Sequence, residues 1–443
     1  METQPSYLAN AQPNPSSNRA PWYKNTAPTY AGIILWFVFW QDIVNTGGAG
    51  GGLARGIWLP ITAVATAAVL CHFLFYLVPG LFGLKTGLPL YVIGSGVFGA
   101  RGGILMPGLL MGLLQFGWVA VNVYFSSLLL HQTLTMVPLW AIMAAWGALA
   151  TFMGLKGIHY VAKVSTYLPL IPLVILIVLL VKTIGGVSDF KPELFTISGA
   201  SLSSFGIFAA IVAYVVGFFA TAGAAGVDFG TNSRNAADVQ KGGLVGVTLA
   251  MIFTGVAAIL IIAGVYGNPL TLAKLGGTLQ VTDSGVLSAI LGGGAAKVVM
   301  FLLALAAFPA ACFSSLIAAN SFKTMLPKVN ANLSVAIGGA VAIALAISGV
   351  AGKAAAIFGF IGASFGPICG ALVMDYFLSG RTWSGARAGF NPAGWAAWAL
   401  GFTVGVLPNF GVNVPIAPVS AFVVGAVVYG ICAKLGMQSK VVK

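Results

Sequence analysis

The sequence predicts an all-α polytopic membrane protein. Of its 443 residues, 59% are hydrophobic and only 7% are charged, whereas a soluble domain carries about 25% charged residues. The apolar residues occur in segments long enough for membrane-spanning helices, which need about 20 residues each, rather than for the short strands of a β-barrel. The same composition excludes a cytosolic enzyme and a disordered chain.

Twelve apolar segments predict twelve spans. They lie at residues 30–50, 57–79, 102–128, 134–155, 161–186, 203–227, 242–267, 288–316, 333–350, 354–378, 392–408 and 412–434.

Basic residues predict the orientation of the chain. With the N-terminus inside, 15 of the 21 lysines and arginines fall on the inner side and 6 on the outer side. This asymmetry indicates cytoplasmic termini in a multi-pass protein of the cell (inner or plasma) membrane. Residues 1–28 are polar and Pro-rich and lack a signal-peptide pattern, so they are predicted to be a disordered cytoplasmic tail. The net charge of +13 needs no nucleic-acid partner, because the basic residues are scattered singly.

The loops offer no catalytic apparatus. They are too short for a soluble domain, and the sequence contains no phosphate-binding loop, zinc-protease motif or nucleophile elbow. The four cysteines lie singly in apolar segments, which is typical of small buried hydrophobic residues. We therefore expect neither an enzyme nor a cofactor, and secondary transport is the class that remains.

Spans 1 and 6 both contain glycine and small residues near mid-depth. The segments read WFVFWQDIVNTGGAGGG and VVGFFATAGAAGVD. Small residues also serve helix packing, but these two spans begin two five-span halves. Interrupted helices at matching positions of two halves indicate a binding site between inverted repeats.

One face of span 3 is polar and aromatic. Gln115, Trp118 and Asn122 follow the spacing i, i+3, i+7, which places them on one side of a helix. An indole flanked by amides suits a planar polar ligand, although the same residues also serve as interhelical packing and hydrogen-bonding groups. In span 6, Phe219 offers a second ring, and Thr221 lies nearby.

Two further sets of polar side chains are candidates for ion coupling. Asp42 lies well inside span 1, where a carboxylate is costly and therefore by default functional; a structural pairing is the alternative. Ser314 and Ser315 in span 8 are adjacent hydroxyls that either bond to their own helix or bind a small cation.

Four stretches in order resemble the nucleobase:cation symporter-1 family, closest to bacterial cytosine and purine permeases. They are LMGLLQFGWVAVNVYF (110–125), TFMGLKGIHYVAKVS (151–165), GFFATAGAAGVDFGTNSRNA (217–236) and FGPICGALVMDYFL (365–378).

The resemblance implies a LeuT-like fold of two inverted repeats. The first repeat would cover residues 29–190, the second 200–380, two extra helices 390–435 and a cytoplasmic C-terminal tail 436–443. Trp118 and Phe219 would then sandwich a base, and Gln115 would bond its edge. Thr221, Asn122 and Gln41 would be further substrate-binding positions.

In span 8 the sequence departs from the pattern of the family. The register SSLIAAN supplies Ser314, Ser315 and Asn320 for sodium, whereas an ungapped register places Pro309 and Ala310 there instead. Asp42 and Lys163 are the candidates for a proton-coupled variant.

The function predicted is secondary active import of a nucleobase such as cytosine, or a related planar heterocycle, coupled to sodium or protons. The expected partners are this small molecule and the lipid bilayer, and the protein is expected to be a monomer. The alternative is an amino-acid or other small-solute transporter on the same fold.

Overall fold

The structure is a computed structural model that describes residues 5–34, 40–156, 168, 170–196 and 202–442. Within these residues the regular structure is helical, which confirms the predicted all-α class. The helices of the first half are α1 Ser6–Ala9, α2 Thr26–Ile34, α3 Trp40–Val44, α4 Trp58–Leu70, α5 Leu77–Thr86, α6 Leu90–Phe98, α7 Leu110–His131, α8 Leu139–Leu155, α9 Leu170–Thr183 and α10 Glu193–Thr196.

The second half continues with eleven α-helices within the described residues. They are α11 Ser204–Ala224, α12 Gly226–Thr231, α13 Ala236–Gly243, α14 Ala250–Gly267, α15 Pro269–Lys274, α16 Asp283–Leu291, α17 Gly293–Met325, α18 Ala331–Ile347, α19 Ala354–Leu378, α20 Pro392–Val406 and α21 Ala417–Lys434. Asparagine and serine side chains cap the N-termini of several of these helices; Ser203, for example, accepts a hydrogen bond from Gly206 N at the start of α11.

Eight helical segments in the described residues are long and apolar enough to cross a membrane. They are Trp58–Thr86, Ile104–His131, Leu170–Asp189, Ser204–Ala224, Ala236–Gly267, Gly293–Met325, Ala354–Leu378 and Ala417–Lys434. They overlap eight of the twelve predicted spans. Spans 4, 9 and 11 correspond to the shorter helices α8, α18 and α20. Twelve spans therefore remain a prediction.

Three long segments contain a π-helical turn. These turns cover Cys71–Tyr76, Ile104–Leu109 and Leu244–Leu249, and the first and third join two α-helices into one segment. Such turns widen the helix by one residue and commonly accompany functional regions.

The predicted interruptions of spans 1 and 6 differ from each other. The described part of span 1 consists of two short helices, α2 and α3, and residues 35–39 lie outside the described residues. In span 6, α11 is continuous through Phe218, Phe219 and Thr221, and the junction with α12 falls at Ala225. Alanine is the strongest helix former, and a glycine costs only about 1 kcal/mol relative to it, so the small residues here do not interrupt the helix before Ala225.

The N-terminal tail, which its composition predicts to be disordered, forms hydrogen bonds with distant parts of the chain from Pro5 onwards. From Pro5 onwards it lies across the predicted cytoplasmic side, where the Tyr7 hydroxyl donates to Ala100 O at 2.6 Å. Asn14 Nδ2 donates to Thr231 O at 3.0 Å, and Ala20 N donates to Asn232 O at 2.8 Å. The carbonyls that accept these bonds are distant in sequence, so the tail's own composition could not reveal them.

Helices α7, α11, α17 and α19 position the candidate site. Helix α7 packs against α17 and α8, while α11 packs against α19 and α4. The α11–α19 crossing is close, because a Cβ atom on Gly217 would overlap the carbonyl of Phe358. This crossing brings the aromatic side chains of α11 and α19 to the middle of α7.

Candidate functional site

An aromatic cluster surrounds Trp118 at the middle of α7. Its ring centroid lies 4.7 Å from that of Phe218 in an edge-to-face arrangement, and 4.9 Å from that of Phe358 with the planes 31° apart. Tyr214 extends the cluster, with its ring centroid 5.2 Å from that of Phe358. The arrangement combines flat apolar faces with one indole N–H, which is the chemistry of a ring-binding site.

A hydrogen bond fixes the indole of Trp118. Nε1 donates to the hydroxyl oxygen of Thr221 at 3.2 Å. Thr221 is 2% exposed and lies on α11, so this bond joins one helix from each predicted repeat. The structure thus brings together Trp118 and Thr221, two of the residues that the sequence predicts for the site.

Gln115 lies one helical turn before Trp118 and is buried. Its Nε2 atom donates to the sulfur of Met111 at 3.5 Å. A thioether is a weak acceptor, so exchanging this contact for a carbonyl or ring nitrogen would strengthen the bond. The side chain is therefore suited to bonding the edge of a polar ligand.

Asn122 connects α7 with α17. Its Nδ2 atom donates to Ala307 O at 3.0 Å, while its Oδ1 atom accepts from Ser126 at 3.3 Å. Both ends of the amide are bonded within the protein, which corresponds to the packing alternative for this residue.

Phe219 points away from Trp118. It is fully buried, and its ring centroid lies 5.7 Å from that of Tyr30. Tyr30 also contacts Phe229 and Tyr76, at 4.7 and 5.3 Å between centroids, and donates to Ala222 O at 2.7 Å. The structure therefore places Phe218 and Phe358 beside Trp118, and Phe219 in a second aromatic cluster towards the predicted cytoplasmic side.

The predicted outer part of span 1 carries a group of polar side chains. Asp42 Oδ2 accepts from the Tyr214 hydroxyl at 3.0 Å, and Gln41 Oε1 accepts from Asp283 N at 3.4 Å. Asp283 starts α16 outside the predicted spans. Desolvation, with the nearby Asp42 carboxylate adding to it, raises the pKa of the Asp283 carboxyl well above its ordinary value.

The predicted sodium ligands of span 8 face different surroundings. Ser315 is fully buried, donates to Ala311 O at 3.1 Å within its own helix, and lies against Gly154 of α8. Ser314 is half-buried and Asn320 is exposed. Lys163 lies outside the described residues. In the part of the chain that the structure describes, no group of three or more His, Cys, Asp or Glu side chains is placed to hold a metal ion; sodium sites built from hydroxyls and carbonyls are of a different kind.

A crevice borders the aromatic cluster. It encloses about 350 Å³ between α7 and α19, and its lining includes Gly117 and Ile357, the sequence neighbours of Trp118 and Phe358. Lys353 and Asn409 contribute the polar part of its lining.

Sequence reasoning missed Tyr214, Asp283 and Phe358. Tyr214 and Phe358 lie in apolar segments where an aromatic residue gives no local signal, and Asp283, the first residue of α16, contacts span 1 only through tertiary packing. No sequence pattern within these segments predicts the contacts.

The long apolar helices are those of a polytopic membrane protein, and the family match identifies it as a transporter. The chain belongs to the family of permeases for cytosine/purines, uracil, thiamine and allantoin, whose model matches residues 15–430. This confirms the family resemblance of the sequence.

Solved structures support the LeuT-like fold. Mhp1, a nucleobase-cation-symport-1 family transporter in a closed conformation with bromovinylhydantoin bound, is similar with a TM-score of 0.67 and 17% identity, covering 96% of this chain and 94% of that one. A Na⁺-coupled sialic acid symporter in a substrate-bound outward-open state gives a TM-score of 0.65 and 14% identity, covering 96% and 92%. A mutant of the Eremococcus coleocola manganese transporter gives a TM-score of 0.56 and 13% identity, covering 95% of this chain and 97% of that one. No curated protein matches the chain significantly by sequence.

Proposed function

We propose that this permease imports a nucleobase such as cytosine, or a related planar heterocycle, by cation-coupled alternating access. The observation that carries the proposal is the setting of Trp118. Its indole is fixed by Thr221 and flanked by aromatic rings, and the buried amide of Gln115 lies one turn away. A stacking face beside an adjustable amide matches a flat ligand with a polar edge.

Phe218 and Phe358, which lie beside Trp118, are proposed as the second face of the sandwich, and Phe219, in the neighbouring cluster around Tyr30, is proposed to support it. Asn122 and Gln41 are proposed as further polar contacts. The bromovinylhydantoin bound to Mhp1 is also built on a small polar ring, which supports a planar heterocycle as the substrate class.

For the coupling ion we propose sodium, bound by the hydroxyls of Ser314 and Ser315 with Asn320 downstream. The Na⁺-coupled sialic acid symporter of similar fold supports this assignment. The second candidate is a proton carried by Asp42 with Lys163, since a partly buried carboxylate within a predicted span is costly in its charged form.

The experiment is uptake of labelled cytosine into proteoliposomes, with competition by other bases, hydantoins and amino acids. We expect bases or hydantoins to compete and Trp118→Ala to abolish uptake. Competition by amino acids alone would support the alternative of an amino-acid transporter and overturn the proposal.

A further inference from the structure

The outer end of span 1 depends on contacts from elsewhere in the chain. Helix α3 ends at Val44. The following turn contains Gly47, Gly48 and Gly50 with positive φ, a conformation that glycine adopts without strain. This glycine turn gives Gln41 and Asp42 little rigid support, so tertiary bonds help to set their position.

The side-chain amide of Asn45 supplies two of these tertiary bonds and one bond within its own turn. Nδ2 donates to Val281 O at 2.8 Å, while Oδ1 accepts from Val281 N at 3.1 Å and from Gly50 N at 3.1 Å. The amide thus pairs with Val281 as one peptide group pairs with another, and it also closes the glycine turn.

The spacing of the bonded residues in 281–283 matches the spacing of their partners along residues 41–45. Val281 bonds to Asn45, and Asp283, two residues later, bonds to Gln41, one helical turn earlier. Two residues of extended chain span about 6.6 Å, and four residues of helix span about 6 Å. Because Thr282 between them is extended, the loop lies along α3 in a fixed register.

Only asparagine fits this position well. Aspartate has no donor for Val281 O, and it would add a carboxylate near Asp42 and Asp283. Serine offers one hydroxyl, which cannot replace the paired donor and acceptor of an amide.

We propose that Asn45 is the positioning residue of the outer half of span 1. Its amide locks residues 281–283 onto α3 and so fixes Gln41 and Asp42 beside Tyr214. The proposal rests on the proposed function where it concerns substrate and ion coupling, because Gln41 and Asp42 are candidate residues there. The lock itself is a contact that can be measured without any substrate.

The test uses a cysteine introduced at Val281 in the full-length protein. The Val281 side chain is 2% exposed, and its replacement leaves both backbone bonds to Asn45 in place. The four native cysteines are buried, so labelling by a membrane-impermeant maleimide reports the new thiol. The matched control is Asn268→Ala, because Asn268 caps α15 at the start of the same outer loop by accepting from Leu270 N.

We expect Asn45→Ala to raise the labelling rate of the Val281→Cys thiol by about tenfold, as the loss of two or more hydrogen bonds implies. Asn268→Ala should change it by less than about twofold, since only one exposed cap is lost. In transport assays, Asn45→Ala should also shift the apparent affinity for the coupling ion. Should Asn45→Ala fail to fold, Asn45→Asp and Asn45→Ser provide the same comparison.

Equal labelling in the Asn45 and Asn268 variants would overturn the proposal. If the wild-type protein transports no base but the labelling difference appears, the proposed function fails and the positioning role stands. If uptake is normal in every Asn45 variant that folds and labelling is unchanged, the positioning role alone is wrong.

Discussion

The indole nitrogen of Trp118 lies 3.2 Å from the hydroxyl oxygen of Thr221, and this bond joins α7 to α11. The two helices belong to different predicted repeats. The orientation of the candidate stacking surface therefore depends on both repeats, and any relative motion of α7 and α11 changes it. A site with this dependence is suited to a transporter, because substrate binding and rearrangement of the repeats then affect the same contact.

The first prediction concerns stacking. Trp118→Ala should weaken substrate binding about tenfold to a hundredfold, because stacking contributes about 1–3 kcal/mol per base. Trp118→Phe should keep part of the affinity, since it retains an aromatic face. Labelled-base binding to purified protein measures both.

The control for this prediction is Trp140→Phe, because the Trp140 side chain is 61% exposed. Unchanged affinity in Trp118→Ala would remove Trp118 from the site.

The second prediction concerns recognition of the ligand's edge. Gln115→Ala should change the ranking of bases in competition assays, because only some bases lose a bond worth about 1–3 kcal/mol in a dry site. Gln132→Ala is the control, since Gln132 is exposed at the C-terminal end of the same helix and its loss should leave the ranking unchanged. An equal loss for all bases in Gln115→Ala would identify Gln115 as a packing residue.

The sequence was sufficient for the class and the family but not for every partner of Trp118. Span positions follow from local hydropathy, and the Gln115–Trp118 face follows from helical spacing. Helical spacing does not show whether Phe218 or Phe219 faces Trp118, because the side chains of neighbouring residues on a helix point about 100° apart. The rotation of α11 decides it, and the close approach of Gly217 to the Phe358 backbone helps set that rotation.

The third prediction concerns the N-terminal tail. Tyr7→Phe should lower the free energy of unfolding by about 1–2 kcal/mol, because it leaves the Ala100 carbonyl without its bond in a buried position. Thermal unfolding in detergent measures this. Tyr23→Phe is the control, because Tyr23 is 56% exposed; equal melting temperatures of the two variants would show that the tail adds no stability.

The fourth prediction concerns pH. The folded protein raises the pKa of Asp283 well above its ordinary value, through desolvation and the nearby Asp42 carboxylate. A raised folded-state pKa contributes stability that is present below the unfolded value of about 3.9 and lost as the pH rises through the folded value. Asp283→Asn should therefore flatten the decline of melting temperature with rising pH, whereas Asp189→Asn, at an exposed position, should leave it unchanged. The same decline in wild type and Asp283→Asn would contradict the assignment.

The last prediction concerns the coupling ion. If sodium couples transport through Ser314 and Ser315, replacing sodium by choline at fixed pH should lower substrate affinity in detergent, and the double change Ser314→Ala, Ser315→Ala should erase that difference. Sodium acts here only through its higher affinity for the substrate-ready state. The Ser315 hydroxyl can bind sodium through its lone pairs while it donates to Ala311 O, so Ser315→Ala alone should weaken the sodium dependence without erasing it. If substrate affinity does not depend on sodium but changes with pH, and Asp42→Asn removes the pH dependence, the coupling ion is a proton. Tyr214→Phe should then alter the pH profile as well, because its hydroxyl donates to the Asp42 carboxylate.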